Sequence, residues 1–225
     1  SSGNLQYHPA NNVWQFAENQ TDSIGGANAN ISSTYNGWID LFVWSTSTTN
    51  FGVSTSTNDN DYSGSFVDWG TNKIGTDAPY TWRTLTKDEW YYLRYSRTNA
   101  SNLCGVAKVN GVNGFILLPD NWVCPSGVSF KSGFHSSYSV EAFGYYQTIS
   151  YEQWNKMEQA GALFLPIAGR RNGTSVDHVQ YCARYWSSTS DGSYDAYYLY
   201  IYSDEAPIGS DDRSYGRSVR LVKDL

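Results

Sequence analysis

The sequence predicts an α+β fold of two short helices, antiparallel sheets and long ordered loops, and three observations carry that expectation. Gly occurs 20 times, Pro 6 times and Met once in 225 residues, which suits a loop-rich chain of short strands better than a helical bundle. Aromatic residues make up 16% of the chain and hydrophobic residues 40%, enough for a substantial core built largely from Trp and Tyr. Helix-start signals occur at two places, each flanked by runs that alternate like strands, so helices are expected beside an antiparallel sheet. Nothing divides the chain cleanly, and residues 1–225 are expected to form one domain.

The elements follow in order. From Leu5 to Phe16 two short strands are expected around the turn His8-Pro9-Ala10-Asn11-Asn12. The stretch from Asn28 to Gly70 is rich in Ser, Thr, Asn and Gly, yet it carries Trp38, Leu41, Phe42, Trp44 and Trp69. A long loop packed through its tryptophans is expected there. In LTKDEWYYL, Thr86 is placed to cap a helix, Glu89 to close the capping box and Leu85 to staple onto Trp90. ISYEQWNKMEQAG repeats the pattern with Ser150, Gln153, Ile149 and Trp154 and stops at Gly161. Between the helices, Cys104–Lys108 and Gly114–Leu118 form a hairpin across Asn110–Gly114. ALFLPIAGRR reads as a buried strand interrupted by Pro166. Arg217–Val222 reads as a last strand with Val219 and Leu221 inward and Ser218 and Arg220 outward.

The most distinctive segment runs from Tyr185 to Val222. Side chains alternate between faces along a strand, so Tyr197, Leu199 and Ile201 share one face, and Ala196, Tyr198, Tyr200 and Tyr202 the other. Placing Leu199 and Ile201 in the core leaves a row of tyrosines outward beside a loop of Ser, Asp and Gly. That is the chemistry of a paratope, in which Tyr supplies contact area at low entropic cost and small polar residues adapt around it.

Charge and cysteine usage narrow the classes. A net charge of −6 with scattered Lys and Arg offers no basic stripe for a nucleic-acid backbone. No apolar run approaches the roughly 20 residues of a membrane helix, so no direct membrane contact is expected. The opening SSGNLQYHP does not resemble a signal peptide and reads as a processing boundary. Cys104 and Cys124 flank the hairpin and are expected either bridged or as two buried thiols, and Cys182 as a surface position.

Several segments carry a resemblance. WRTLTKDEWYYL and YGRSVRLV look like the helix-opening motif and closing strand of the formylglycine-generating-enzyme branch of the C-type lectin fold. VNGVNGFILLPDNW, EQWNKMEQAGALFLPIAGRRNGTSV, YWSSTS, GNLQYHPANNVWQFAENQ and ISSTYNGWIDLFVW resemble exported gut-bacterial surface proteins with such a domain. That group resembles the variable proteins of diversity-generating retroelements, in which adenine-directed errors rewrite codons near the end of the gene. The resemblance implies a variable, ligand-facing region over 178–222. Its variable sites map onto His178, Cys182, Arg184, Asp191, Gly192, Tyr194, Asp195, Tyr198, Tyr200, Tyr202, Ser214 and Tyr215, each reachable from an Asn-type codon. Gln180 is not reachable and is left out. Trp186, Leu199, Ile201, Val219 and Leu221 would be held fixed.

The resemblance implies an extracellular, bacterial cell-surface location. It also implies a protein or glycan ligand on another cell, a host surface or a phage, with other subunits of an adhesin or pilus as further partners. Catalysis is not expected. HExxH, GxSxG and a phosphate-binding glycine loop are lacking, His8, His135 and His178 are far apart in sequence, and Cys182 alone cannot supply the cysteine pair of the formylglycine-generating enzymes. No cofactor is expected. The rival reading is a glycan-binding lectin domain without diversification, either metal-free or using calcium held by the oxygen-rich runs Asn58-Asp59-Asn60-Asp61 and Ser210-Asp211-Asp212.

Overall fold

The computed structural model describes residues 3–44 and 52–224, so the part of the long tryptophan loop at 45–51 lies outside the described residues. The chain opens with a hairpin of β1 (Leu5–His8) and β2 (Val13–Phe16), in which Tyr7 faces Trp14 and their rings stack at 4.1 Å. Pro9 starts the single 3-10 turn between them, a position that suits its fixed φ and missing N–H. There follow β3 (Arg83–Thr84), α1 (Lys87–Tyr91), β4 (Cys104–Val109), β5 (Val112–Leu117), α2 (Ala142–Tyr146), β6 (Thr148–Ile149) and α3 (Tyr151–Gln159). The last part holds β7 (Leu163–Pro166), β8 (Arg170–Asn172), β9 (Ser175–Asp177), β10 (Ala183–Asp191), β11 (Asp195–Ile201), β12 (Ile208–Asp212) and β13 (Leu221–Val222). The architecture is α+β.

Both expected capping boxes form. Thr86 Oγ1 accepts from the Glu89 N–H at 3.2 Å while Glu89 Oε2 accepts from the Thr86 N–H at 2.8 Å. Ser150 and Gln153 do the same at 3.3 and 3.1 Å, and α3 stops at Gly161, whose φ of +93° suits a residue without Cβ. Beyond α1 the backbone widens into a π-helical turn at Tyr92–Ser96. Arg97 then ties the helix end to the neighbouring hairpin by donating to the carbonyls of Leu93, Leu118 and Leu103.

Four expectations about these elements need correction. The β4–β5 turn is only Asn110-Gly111, with φ values of 48° and 84°, because Asn-Gly is the pair that tolerates left-handed backbone at both central positions. A third helix, α2, carries no side-chain cap that sequence could reveal, and β6 joins β4 parallel rather than antiparallel. The cysteines are free: Cys104 is buried, its thiol directed at the Ala100 carbonyl, whereas Cys124 is exposed.

The sheets are small. β6-β4-β5-β7 form one, β10-β11-β12 a second, and β1-β2, β8-β9 and β13-β3 are pairs. Apolar side chains gather in three clusters among the described residues. The β1–β2 hairpin, Phe42, Trp44 and Trp69 meet Trp186, Ala196 and Tyr198 in the first. Leu85 and Trp90 of the α1 region meet Phe115, Leu165, Tyr185, Leu199 and Ile201 in the second. The other face of β4–β5 packs on Trp154 and Met157 of α3 in the third. The β10–β11 ribbon therefore lies between two clusters and is covered on both sides.

The segment from Gly216 to Val222 links these layers. Its backbone bonds Phe42 in both directions, exchanges bonds with Arg184 and Trp186 of β10, accepts from Leu5, and ends as β13 beside β3. Enclosure on both sides explains why Ser218 and Arg220, expected outward, are buried. Arg220 Nη2 donates to Gln20 Oε1 at 2.8 Å.

Arg83 grips both carboxylate oxygens of Glu89, at 2.7 and 2.9 Å, and this pairing, helped by the Thr86 bonds, holds the Glu89 carboxyl down at about 2. A folded value below the ordinary 4.5 stabilises the fold above that pH, and the contribution is lost as pH falls toward about 2. Acid unfolding followed by circular dichroism should show part of the wild-type loss in this window missing from Glu89→Gln. Identical pH profiles would show that the pair carries no linkage.

Candidate functional site

The site is built on the antiparallel ribbon β10–β11. Its register sets Tyr185 opposite Leu199 and Trp186 opposite Tyr198, with Arg184 opposite Tyr200. Cross-strand partners share a face, so Arg184, Trp186, Tyr198 and Tyr200 stand together and Tyr185, Leu199 and Ile201 stand behind them. The alternation holds as expected, but its consequence differs. Tyr198 is only 6% exposed, hardly more than Leu199 at 1%, because the first core cluster covers the tyrosine side. Tyr197, expected inward, is half-buried with the Lys87 ammonium 4.2 Å from its ring centre.

From Tyr198 a row of rings leads outward. Tyr198 meets Tyr200 at 5.7 Å, Tyr200 meets Tyr202 at 3.8 Å, and Tyr202 meets Tyr138 at 4.6 Å. Tyr138 then meets Tyr181 at 4.6 Å, and Tyr181 stacks on His178 at 5.7 Å. Guanidinium groups lie against these rings: Arg184 over Tyr200 at 4.0 Å, Arg217 over Tyr198 at 3.8 Å, and Arg170 over Tyr215 at 4.8 Å. Arg184 Nη2 also donates to the Tyr200 hydroxyl. Burial pushes the phenols of Tyr138, Tyr200 and Tyr202 above their ordinary value, so they stay neutral donors and acceptors at physiological pH.

A second group sits at the tip of the ribbon. Asp191 pairs with Asp195 across the turn that holds Gly192 and Tyr194, and Tyr194 is 47% exposed. Arg213 fastens the tip, donating from Nη2 to the Gly192 carbonyl at 2.8 Å and from Nε to the Asp195 carbonyl at 3.1 Å. Beside it an open hollow of ≈ 600 Å³ lies between the tip serines and the Trp44 and Phe66 rings. The carboxyl of Asp212 is pushed up by burial and then by Asp59, Asp211 and Asp195, so the two acidic runs named above approach one another. Among the described residues no set of three or more His, Cys, Asp or Glu side chains comes together in a way that could hold a metal ion.

The twelve expected site residues thus fall into three kinds. Asp191, Gly192, Tyr194 and Asp195 gather at the tip, while Tyr200, Tyr202 and His178 lie partly open along the aromatic row and Tyr215, also partly open, lies beside Arg170 and Arg217. Cys182, Arg184, Tyr198 and Ser214 are buried and are corrected from displayed to supporting positions. Cys182 is drawn inward because residues 178–182 curl into a turn, its N–H bonding the His178 carbonyl, beneath Arg184. Ser214 is enclosed in the turn after β12, and Arg184 lies under the Tyr200 ring.

Two contributors were not legible in the sequence. Tyr138, 42% exposed, and Tyr181 complete the aromatic row from outside the expected set, and the loop FHSSYS has no periodicity that could have flagged Tyr138. Gln180 has a clear scaffold role. Its side-chain oxygen accepts from the Asn113 N–H at 2.8 Å, and the Asn113 amide returns a bond to the Gln180 carbonyl at 2.9 Å. Compared with protein-family models, with curated proteins and with solved structures, the chain has no match.

Depth along the row should set the cost of truncation. Tyr198→Ala empties a packed site and should cost about 2–5 kcal/mol, whereas Tyr202→Ala should cost less than half as much. Urea denaturation of the two variants decides this, and equal costs would contradict the burial gradient.

Proposed function

We propose that this chain is a non-catalytic ligand-binding domain with a C-type-lectin-like fold, the displayed part of an exported bacterial surface protein of adhesin or receptor type. Its binding face is rewritten by a diversity-generating retroelement. One observation carries the reading: residues scattered from His178 to Tyr215, all reachable from one codon type, lie along one ribbon and its flanking turns. The partly open members are Tyr, His, Asp and Gly, the residues that form adaptable contact surfaces. Around them stand groups that such codons cannot supply, among them Trp186 in the core and Gln180 bonded to Asn113.

Fixed packing beneath a displayed surface lets contacts change at small stability cost, usually within about half a kcal/mol at exposed sites. The ligand is a protein or glycan on another cell, a host surface or a phage, bound without a cofactor and without nucleic acid.

The neighbouring DNA tests the diversification. A near-copy of the last part of this gene, differing only at adenines and lying beside a reverse transcriptase gene, is the expected finding. An ordinary chromosomal context would overturn it and leave a lectin-like adhesin domain. A binding test addresses the face: replacing Asp191, Tyr194 and Tyr202 together by Ala should abolish adhesion to ligand-bearing cells while the domain stays folded, with a melting temperature lowered no further than Tyr202→Ala alone lowers it. Binding that survives this variant but is lost on chelation would place the ligand at a calcium site instead.

A further inference from the structure

We propose that the recess between Tyr138 and Tyr202 binds an organic cation, the guanidinium or ammonium head of a basic side chain on a protein partner. The recess has a volume of ≈ 170 Å³ and is lined by Tyr138, Tyr202, Asp204 and Glu205. Its walls are two rings meeting nearly edge to face, 4.6 Å apart at 74°. Its rim is two exposed carboxylates, and neither Asp204 nor Glu205 forms an ion pair with any described residue. A cation over an aromatic face is attracted by the ring quadrupole, and carboxylates beside it add direct charge attraction. An anion entering the same recess meets two like charges.

The recess is held ready by backbone bonds. Ser203 Oγ accepts from the Ser139 N–H at 3.1 Å and donates to the Ser137 carbonyl at 2.9 Å, fixing the chain on both sides of Tyr138. The His135 N–H bonds the Ser203 carbonyl, and the Tyr202 N–H bonds the Glu205 carbonyl at 2.8 Å, closing the turn that brings both carboxylates beside the Tyr202 ring. Two arginines of the surrounding scaffold are engaged elsewhere. Arg94 lies over the Tyr95 and Phe134 rings and donates to the Ala206 carbonyl, and Arg184 is buried under Tyr200. With walls and rim already in place, little ordering cost opposes binding.

The inference rests on the proposed binding face for the source of the cation and shares Tyr202 with it. Small probes test the recess by itself. The intact domain, labelled at its tyrosine rings, would be titrated with N-acetyl-arginine amide, N-acetyl-lysine amide, tetramethylammonium and sodium chloride at constant ionic strength, and followed by NMR. Saturable shifts of the Tyr138 and Tyr202 ring signals are expected with the arginine and lysine probes. Asp204→Asn combined with Glu205→Gln should weaken binding roughly tenfold, with melting unchanged because both positions are exposed.

Shifts that never saturate, or that sodium chloride reproduces, would overturn the site. So would unchanged affinity in the double variant or in Tyr138→Leu. Saturation by tetramethylammonium alone would overturn the assignment to a basic side chain and point to a quaternary ammonium ligand. Failure of the wild-type domain to bind the probes while it still adheres would reject the recess and leave the binding face, and saturable probe binding without adhesion would reject only the face.

Discussion

The guanidinium of Arg217 is the interaction on which the rest of the fold depends. It is fully buried, with its carbon 3.8 Å from the Tyr198 ring centre and 4.3 Å from that of Trp186, and among the described residues its one ion-pair partner is Asp211 at 2.8 Å. Burial pulls it down to about 10, still far above physiological pH, so the core holds a positive charge. Its backbone clasps Phe42 in both directions, and the Phe42 carbonyl also accepts from Trp186 Nε1 at 2.7 Å. One residue therefore joins the tryptophan loop, the ribbon and the closing segment. Removing a partner from such a site leaves an uncompensated charge, which is costlier than losing an ordinary contact.

Arg171 and Arg220 repeat the theme. Both are buried and pulled down to about 10, and both are held by neutral oxygens, Arg171 by four backbone carbonyls and Arg220 by the Gln20 amide. Loops without regular partners leave carbonyls unsatisfied, and a guanidinium offers five donors in a fixed fork to gather them. Arg213 does the same at the ribbon tip, where it binds carbonyls of Tyr62, Gly64, Gly192 and Asp195. The long irregular stretches are held to the sheet by such gathering.

What could be read in the sequence was local. Thr86 with Glu89 and Ser150 with Gln153 declared their helices because a capping box is complete within four residues. The alternation of β11 was equally plain, and so was the tryptophan anchoring of the loop. What covers each face was not legible. Tyr198 and Leu199 have the same local pattern as an exposed and a buried position, and the Trp14, Phe42 and Trp69 side chains that enclose Tyr198 lie more than a hundred residues away. Arg220 and Ser218 are buried against their alternation for the same reason, since burial of a polar side chain depends on partners such as Gln20 that no periodicity announces. Tyr138 meets the aromatic row from a loop distant in sequence, held there by the bonds Ser203 makes to Ser137 and Ser139.

The tyrosine row descends from partly open at Tyr202 to enclosed at Tyr198, and that slope limits any repertoire drawn from it. If all three codons are randomised alike, variants at Tyr202 are filtered mainly by what they bind. Variants at Tyr198 are filtered first by whether a small or charged residue can stand between Trp186 and Arg217. The effective number of usable sequences is then smaller than codon arithmetic suggests, and it is weighted toward aromatic residues at the deep end. Under the proposed diversification, a census of natural variants would carry this as declining diversity from Tyr202 through Tyr200 to Tyr198, a record of folding constraint written along the row.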